Sequence, residues 1–316
     1  MATPRPRSGL FLLIPASVLA LLSASSATHA QAPRGHLVVI GGGSRPASIM
    51  TLFACLAGDA KGKVLVFPQA SERPEAGSEI EEEMKKLGLG QVVVVPAKDP
   101  ASADSADVLR LADGATGVYF GGGDQGRLMA VLRGTKLEQR LRQLYRDGAA
   151  IAGTSAGAAV MSRVMITGDE KRPLSKDDNW QTIEAENVVT ADGLGLMEDV
   201  IVDQHFARRR RHNRLISLVL ERPNLLGVAI DESTAAWVKP GGRFEVVGEG
   251  PILVFDASQA RTGRDAPGFG LRGSDLRLHV LRPGSEYDIA TRAVVSLQPR
   301  SAAEKAADPA ARCAVK

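Results

Sequence analysis

The sequence contains very few cysteines, which limits how its fold can be held together. Only Cys55 and Cys313 occur among the 316 residues, so a scaffold built on several disulfides is excluded. Cys55 belongs to an apolar, helix-like run, SIMTLFACLAG, whereas Cys313 lies in a polar, alanine-rich tail. We therefore expect a buried free thiol at Cys55 and a second free thiol in the tail. A bridge between the two is the less favoured alternative.

Long apolar runs are also missing, except at the N-terminus. Arg5 and Arg7 precede the apolar run LFLLIPASVLALL, and the segment Thr28-His29-Ala30 supplies small residues for cleavage. This is the pattern of a secretory signal peptide, because the apolar run is shorter than a membrane-spanning helix. We predict a signal peptide over residues 1–30 and a secreted or periplasmic protein with no membrane partner after cleavage.

The chain carries little net charge once this leader is removed. The formal charge of +3 falls to +1 when Arg5 and Arg7 are subtracted (+3 − 2 = +1). Such a balance offers little electrostatic attraction for nucleic acid, so we expect no nucleic-acid partner.

No linker-like stretch or internal repeat divides the remaining chain. Short β-branched runs such as HLVVI, KVLVF and QVVVV alternate with helix-like stretches. This alternation predicts an α/β fold with a mostly parallel sheet flanked by helices. After about residue 236, alternating segments with Gly and Pro turns predict added C-terminal antiparallel hairpins. We expect one α/β domain over residues 31–299 and a frayed C-terminal tail over 300–316.

Two glycine-rich loops, at 41–43 and 121–123, follow predicted strands. Neither fits a nucleotide-binding motif, because residues 44–50 break the G-x-G-x-x-G spacing and no P-loop lysine follows. We therefore expect no cofactor. Parallel strands end at the same edge of a sheet, so both loops should share one crevice with the turn at residue 155. Glycine there lets backbone N–H groups approach a reacting group as an oxyanion hole.

That turn holds a Gly-x-Ser-x-Gly pattern, formed by Gly153, Ser155 and Gly157. A strand-like run precedes it and a helix-like run follows, which is the context of a nucleophile elbow. The glycines permit a tight turn, and the following helix directs its free N–H groups at an oxyanion. Ser155 is thus a candidate nucleophile, and a plain turn of small residues is the alternative interpretation.

A serine nucleophile requires a base, and histidine is the usual one. His36 begins the first strand at the opposite end of the sheet, His212 lies in an arginine run, and His279 is in a late hairpin. His205 follows the apolar run EDVIVDQ and precedes a basic helix, so it should face the crevice. Elimination favours His205, with a polar residue capping a buried strand as the alternative.

The orienting carboxylate should follow another strand end. Asp231 and Glu232 follow the run LLGVAI, while Asp203 and Asp124 are competing positions. Spacing and position favour residue 231 or 232 and do not choose between them.

A cluster of arginines comes directly after His205, at Arg208, Arg209, Arg210, Arg211 and Arg214. Guanidinium groups bind carboxylates in a fork geometry, which an acidic substrate would require. On a helix, Arg211 and Arg214 would be neighbours because they are three residues apart. A solvated basic face is the alternative, and we prefer it for Arg208 and Arg210.

Together these segments resemble the cyanophycinase family, part of the aspartyl-dipeptidase-like serine peptidases. The resemblance covers most of the predicted mature chain, and the longest of its five motifs is the most specific. In chain order the motifs are IGGG at 40–43, GGGDQ at 121–125, GTSAGA at 153–158, DQHFARRRRHNRL at 203–215 and AIDESTA at 229–235. The order Ser, His, acid differs from the order in α/β-hydrolases.

The resemblance implies a flavodoxin-like or class I glutamine amidotransferase-like fold, a homodimer, and catalysis without a metal. It assigns the nucleophile, base and acid to Ser155, His205 and Glu232. The implied substrate is cyanophycin, a poly-aspartate chain with arginine on each β-carboxyl, cut by a serine exopeptidase into β-Asp-Arg dipeptides through an acyl-enzyme. Substrate contacts are implied at Gln125, Asp203, Gln204, Arg209, Arg211 and Arg214.

We expect the amides of Ala156 and of Gly122 or Gly123 to bind the oxyanion. Two alternatives stay open. One is a relative that acts on other isoaspartyl or acidic peptides, for which the polar segment 168–187 would line the groove. The other is a catalytically silent binding relative. Amidotransferase chemistry is disfavoured because it needs a cysteine where Ser155 stands.

Overall fold

The computed structural model describes residues 1–3, 32–175 and 180–297. Most of the predicted signal peptide, residues 176–179 of the polar segment, and the predicted tail fall outside these ranges. The described helices and strands belong to the compact unit Ala32–Lys316. None of the helices within these ranges combines the length and apolar character needed to span a bilayer.

Strands and helices alternate through the first half of the described chain, as the sequence predicts. The strands are β1 (His36–Ile40), β2 (Lys63–Phe67), β3 (Gln91–Val94), β4 (Gly117–Phe120), β5 (Ala150–Thr154), β6 (Val164–Glu170), β7 (Val188–Asp192), β8 (Val200–Gln204), β9 (Leu226–Ile230), β10 (Thr234–Val238), β11 (Arg243–Gly248), β12 (Ile252–Asp256), β13 (Arg261–Arg264), β14 (Leu271–Ser274), β15 (Arg277–Leu281), β16 (Glu286–Asp288) and β17 (Ala293–Ser296). The α-helices are α1 (Ala47–Leu56), α2 (Ala76–Lys86), α3 (Pro100–Ala103), α4 (Ala106–Leu111), α5 (Gln125–Leu132), α6 (Lys136–Asp147), α7 (Ala156–Ala159) and α8 (His212–Glu221), with a short 3₁₀ helix at Asp59–Lys61.

In the described part of the chain, the largest sheet has nine strands in the order β17-β16-β11-β10-β1-β5-β4-β2-β3. The strands β1, β5, β4, β2 and β3 run parallel. The strands β10, β11, β16 and β17 extend this sheet antiparallel. The predicted fold class is confirmed, since parallel strands form the centre and antiparallel strands from the C-terminal part are added at one edge.

The side chains of β1 show why helices cover both faces of this sheet. Successive residues of a strand point to opposite faces. Leu37 and Val39 pack into one apolar cluster with the buried faces of α5 and α6. Val38 and Ile40 pack into a second cluster with α1 and α2. Since both faces are covered, ligands have access to the carboxyl ends of the strands, where the loops lie.

A second sheet of the described residues has the order β15-β12-β9-β8. Its strands β8 and β9 are parallel, while β12 and β15 are antiparallel to their neighbours. The sequence predicts that the strands preceding His205 and Asp231 end at the same edge of one sheet as the other strands. In the structure they belong to a different sheet. The antiparallel strand β10 lies beside β1, so β8 and β9 pair with each other in the second sheet, together with β12 and β15. The turn 231–233 connects the two sheets.

The state of Cys55 differs from the expectation. Cys55 lies near the end of α1, where 6% of its surface is exposed, and it is disulfide-bonded. The expected free thiol at this position is therefore wrong, because pairing of a thiol depends on which chain segments meet in the fold, and the local sequence around Cys55 does not specify this. The other cysteine of the sequence, Cys313, lies outside the described residues.

Candidate active site

Ser155 stands in a strained turn between β5 and α7. Its backbone has φ 55° and ψ −112°, a region that residues other than glycine seldom adopt. Its amide donates to the carbonyl oxygen of Ile40 at 3.0 Å. A Cβ on Gly153 would overlap the carbonyl of Gly157, and a Cβ on Gly157 would overlap that of Phe120. The glycines therefore allow the close packing of a sharp strand-to-helix turn, as in a nucleophile elbow.

Ser155, His205 and Glu232 form a hydrogen-bonded chain. The Nε2 atom of His205 lies 2.8 Å from Ser155 Oγ, and its Nδ1 atom lies 2.6 Å from Glu232 Oε1. With the proton on Nδ1, His205 donates to Glu232, and Nε2 accepts the serine hydroxyl. This is the relative arrangement of a nucleophile, a base and an orienting acid.

The other carboxylates considered as the orienting acid have different partners. Asp231 accepts the backbone amide of Arg208 at 3.2 Å. Asp124 caps α5 by accepting the amides of Gly126 and Arg127. Asp203 is fully buried with an arginine. The geometry therefore separates Glu232 from its neighbour, which the sequence spacing could not do.

The surroundings of His205 favour its neutral form. Burial lowers the pKa of His205, and this effect outweighs that of the hydrogen bond that His205 donates to Glu232, which raises it. The positive charges of Arg209 and Arg211 lower the pKa of His205 further. The hydrogen bond from His205 in turn lowers the pKa of Glu232. A neutral imidazole beside an ionised carboxylate is the state in which His205 can accept a proton at neutral pH.

The first glycine loop holds the three segments of the site through its backbone. Consecutive carbonyl groups at the end of β1 each accept one amide from a different segment: Ile40 from Ser155 at 3.0 Å, Gly41 from His205 at 2.8 Å, and Gly42 from Ser233 at 2.9 Å. The loop at 41–43 thus aligns the nucleophile, base and acid segments, a role that the sequence analysis did not predict.

Two glycines of this loop also make room for the catalytic side chains. A Cβ on Gly42 would overlap the imidazole of His205, and a Cβ on Gly43 would lie 2.7 Å from Glu232 Cβ. Both glycines have positive φ, 109° and 69°, where residues with a Cβ are strained. The glycine run is therefore required for close approach of side chains rather than for a phosphate group.

The second glycine loop lies beside the nucleophile. A Cβ on Gly122 would be 3.5 Å from Ser155 Cβ, which is ordinary contact, whereas a Cβ on Gly123 would overlap the carbonyl of Ala70. Gly122 therefore adjoins the serine, and Gly123 packs against the loop that follows β2. Ala156 is the first residue of α7 and is completely buried. The assignment of the three amides to an oxyanion hole stays a prediction.

Asp203 and Arg214 form a buried ion pair beneath the site. Arg214 Nε donates to Asp203 Oδ2 at 2.8 Å, and a second guanidinium nitrogen contacts Oδ1. Their side chains are 0% and 2% exposed, and the pair joins the end of β8 to α8. The implied substrate contacts at these two positions stay a prediction.

Gln204 and Arg211 also bind each other. Arg211 donates to the backbone oxygen of Gln204 at 2.7 Å and contacts its side-chain oxygen. Burial, together with the like charge of Arg214, lowers the pKa of Arg211 to about 10, which leaves it charged at neutral pH. This arrangement stabilises the turn that follows β8 and leaves 12% of the Arg211 side chain exposed.

The remaining arginines of the cluster, Arg208, Arg209 and Arg210, are exposed. The amide of Arg209 donates to the carbonyl oxygen of His205 at 2.9 Å, so this arginine is fixed close to the base. Among the predicted substrate contacts, Arg209 is thus both exposed and near the catalytic residues.

Gln125 is buried at the start of α5. Its side-chain amide donates to the carbonyl oxygens of Ile166 and Thr167, at 2.7 Å each. These bonds fix β6 against α5. Substrate contact through the same amide nitrogen would require these two bonds to break.

Ser155 and His205 open into a cleft of about 330 Å³. Three charged residues that the sequence analysis missed also line this cleft: Arg45, Arg73 and Glu79. Arg45 and Arg73 follow the carboxyl ends of β1 and β2, and that position was the signal that could have identified them. Within the described ranges, no three His, Cys, Asp or Glu side chains are grouped as ligands of a metal ion.

Comparison with known proteins gives a consistent result. The sequence profile of Peptidase family S51 matches residues 37–246. A protein named cyanophycinase from Trichormus variabilis is 34% identical over 274 residues, which cover 84% of this chain and 89% of the relative. A cyanophycinase from Synechococcus elongatus is 34% identical over 284 residues, covering 85% of this chain and 84% of the relative.

The fold also matches a solved structure. A crystal structure described as a peptidase from an acI-B1 Actinobacterium superposes with a TM-score of 0.59 and 22% sequence identity. The match covers 82% of this chain and 98% of the other. At this identity, the likeness concerns the fold alone.

Proposed function

Because the chain belongs to peptidase family S51, in which it is a serine-type peptidase of the cyanophycinase family, we propose that it hydrolyses cyanophycin. Two relatives that bear the name cyanophycinase are each 34% identical to it over most of their length. The proposed products are β-Asp-Arg dipeptides, released by a serine exopeptidase through an acyl-enzyme on Ser155.

The hydrogen-bonded chain from Ser155 through His205 to Glu232 carries this proposal. As the serine oxygen attacks the scissile aspartyl carbonyl, Nε2 of His205 takes the hydroxyl proton. Glu232 holds the ring with Nδ1 protonated and stabilises the imidazolium that forms. The same proton then passes from Nε2 to the leaving amine.

The second half of the reaction is hydrolysis of the ester on Ser155. Water gives a proton to His205 and attacks the acyl carbonyl, and His205 returns this proton to the oxygen of Ser155 as the ester bond breaks, which releases the aspartyl carboxyl group and the free serine. The amides of Ala156 and of Gly122 or Gly123 stabilise the oxyanion of both tetrahedral intermediates. The position of Gly122 beside the serine supports this assignment.

Among the residues assigned to substrate, we propose two different roles. Arg209 is exposed and near the base, so it binds a carboxylate of the substrate directly. The other residues stabilise the shape of the site through their hydrogen bonds and ion pairs within the protein. These are Gln125, Asp203, Gln204, Arg211 and Arg214.

We also propose that the protein is exported and acts on polymer outside the cytoplasm, as a homodimer. The basic and apolar leader over residues 1–30 supports export, and the family resemblance supports the dimer. N-terminal sequencing of the exported protein tests the first proposal, with cleavage expected near Ala30. Light scattering tests the second, and a monomeric mass would contradict it.

The decisive experiment is incubation of the purified protein with insoluble cyanophycin, followed by mass analysis of the soluble products. We expect β-Asp-Arg dipeptides, and a loss of about 10⁴-fold or more in turnover for Ser155→Ala. Cleavage of isoaspartyl dipeptides without cyanophycin cleavage would replace the proposed substrate. Near-normal turnover by Ser155→Ala would contradict the assignment of the nucleophile.

A further inference from the structure

One wall of the catalytic cleft is formed by the first turns of α2, and it carries charges that the proposed chemistry does not use. As far as the structure describes it, the lining includes one carboxylate, that of Glu79, and two guanidinium groups, those of Arg45 and Arg73. These groups share the cleft with Ser155 and His205.

The carboxylates at the N-terminal end of α2 and along its first turns are covered by arginines from the neighbouring loops. Glu75, Glu79 and Glu83 are four residues apart, a spacing that places side chains on one face of a helix. Arg73 Nε donates to Glu75 at 2.7 Å, and its terminal nitrogen contacts Glu79. Arg45 binds Glu83 through two bonds, at 3.2 and 2.5 Å. Each carboxylate of the row thus already holds a guanidinium group.

These ion pairs differ in how readily they can exchange partners. The side chains of Arg73 and Glu79 are 58% and 53% exposed, whereas those of Arg45 and Glu83 are 30% and 29% exposed. Water screens an exposed pair, and two long side chains lose conformational freedom when they are held together. The pair of Arg73 and Glu79 is therefore the one that an incoming ligand can open.

We propose that Glu79 and Arg73 form the subsite for the β-linked arginine residue of the substrate, an inference that rests on the proposed function. The substrate guanidinium replaces Arg73 on the carboxylate of Glu79. Arg73 keeps its bond to Glu75 through Nε, and its released terminal nitrogen binds the free carboxylate of the same substrate residue. The ion pair between Arg73 and Glu79 is thus replaced by two ion pairs with the substrate, so no charge is left without a partner.

This exchange makes the subsite selective for a particular chemical group. A residue of the same shape without the positive charge, such as citrulline, cannot replace Arg73 on Glu79 and leaves the internal pair intact. Removing the charge of Glu79 should therefore weaken the binding of arginine-bearing substrate and leave the binding of the citrulline form nearly unchanged.

The test is a binding measurement that does not depend on turnover. In the Ser155→Ala protein, calorimetry compares a short poly-aspartate oligomer with β-linked arginine against the same oligomer with citrulline. We expect a preference for arginine of about tenfold or more, which falls to within about twofold when Glu79→Gln is added. The matched control is Glu82→Gln on the same helix, whose carboxylate is 72% exposed and 3.9 Å from Lys86. It should keep the full preference.

Kinetics on the otherwise unaltered enzyme distinguishes the subsite from the overall function. Glu79→Gln should raise KM for the arginine oligomer about tenfold and change kcat by less than about threefold, because the triad is intact. An unaltered arginine preference in Glu79→Gln overturns the subsite, even if cyanophycin is cleaved. Failure of the wild-type protein to cleave cyanophycin, with charge-dependent binding through Glu79 retained, overturns the proposed function and supports the subsite.

Discussion

The imidazole of His205 lies directly against Gly42, so closely that a single added carbon on Gly42 would overlap the ring. The backbone of Gly42 has φ 109°, which independently favours glycine. Glycine is therefore required at position 42 for two reasons: the backbone conformation, and the space that the imidazole of His205 occupies beside Ser155.

Replacing Gly42 with alanine should displace the base without unfolding the protein. A shift of the imidazole by about 1 Å is enough to cost about 100-fold in kcat. The control is Gly241→Ala, because Gly241 has φ 91° and no atoms within 4 Å of an added Cβ. That variant bears the backbone strain alone, so it should lose some thermal stability and keep its kcat. Equal kcat values for the two variants would contradict the proposed contact.

The pH dependence of kcat/KM should report the pKa of His205. The base must be neutral, and burial lowers the pKa of His205, so activity should persist below the usual histidine pKa of about 6.5. Because the charge of Arg209 contributes to this lowering, Arg209→Gln should move the acidic limb to higher pH. A limb that stays in place, or moves the other way, counts against this electrostatic coupling.

Glu232→Gln should reduce kcat by about 10³-fold or more. The neutral amide stabilises the imidazolium less, and it can also orient the wrong ring tautomer. The matched control is Asp231→Asn at the adjacent position, since Asp231 contacts only the amide of Arg208 among the bonds described for its side chain. We expect that variant to remain within about twofold of the wild type in a peptidase assay. A larger loss in Asp231→Asn than in Glu232→Gln would reverse the assignment of the acid.

Arg214→Leu should be strongly destabilising, by about 3–5 kcal/mol in the free energy of unfolding, because the buried charge of Asp203 loses its hydrogen-bonded guanidinium and keeps only Arg211, 4.0 Å away. Urea unfolding monitored by circular dichroism measures this loss. Replacing both residues by leucine should recover much of the stability. The exposed control Arg208→Leu should change stability by about 0.5 kcal/mol or less. If Arg214→Leu is as stable as this control, the ion pair has no structural role.

The sequence indicated where the candidate site residues lie, but it did not indicate which partners the charged residues bind. The triad positions could be found because each follows the end of an apolar strand, where open α/β sheets bind ligands. Asp231 and Glu232 could not be separated, since two adjacent residues of a turn point in directions set by the backbone, here by the positive φ of Ser233. The bonds from His205 to Glu232 and from Arg208 to Asp231 reveal these directions.

The errors have a common physical origin in long-range contacts. The burial of Arg214 also depends on such contacts, since α8 begins at His212 and turns Arg214 toward the interior. Similarly, the strands that precede His205 and Asp231 read like those of the main sheet, and the pairing of β10 with β1 separates them. The disulfide of Cys55 depends on proximity that local sequence does not encode.

The arrangement of the active site depends on one short segment of backbone, the three consecutive carbonyl groups at the end of β1. Their donors, the amides of Ser155, His205 and Ser233, come from distant parts of the chain. In hydrogen exchange, these amides should therefore become accessible to deuterium in one shared opening event rather than independently. Heat or denaturant that releases β1 would then dismantle nucleophile, base and acid simultaneously, so loss of activity would be abrupt rather than gradual.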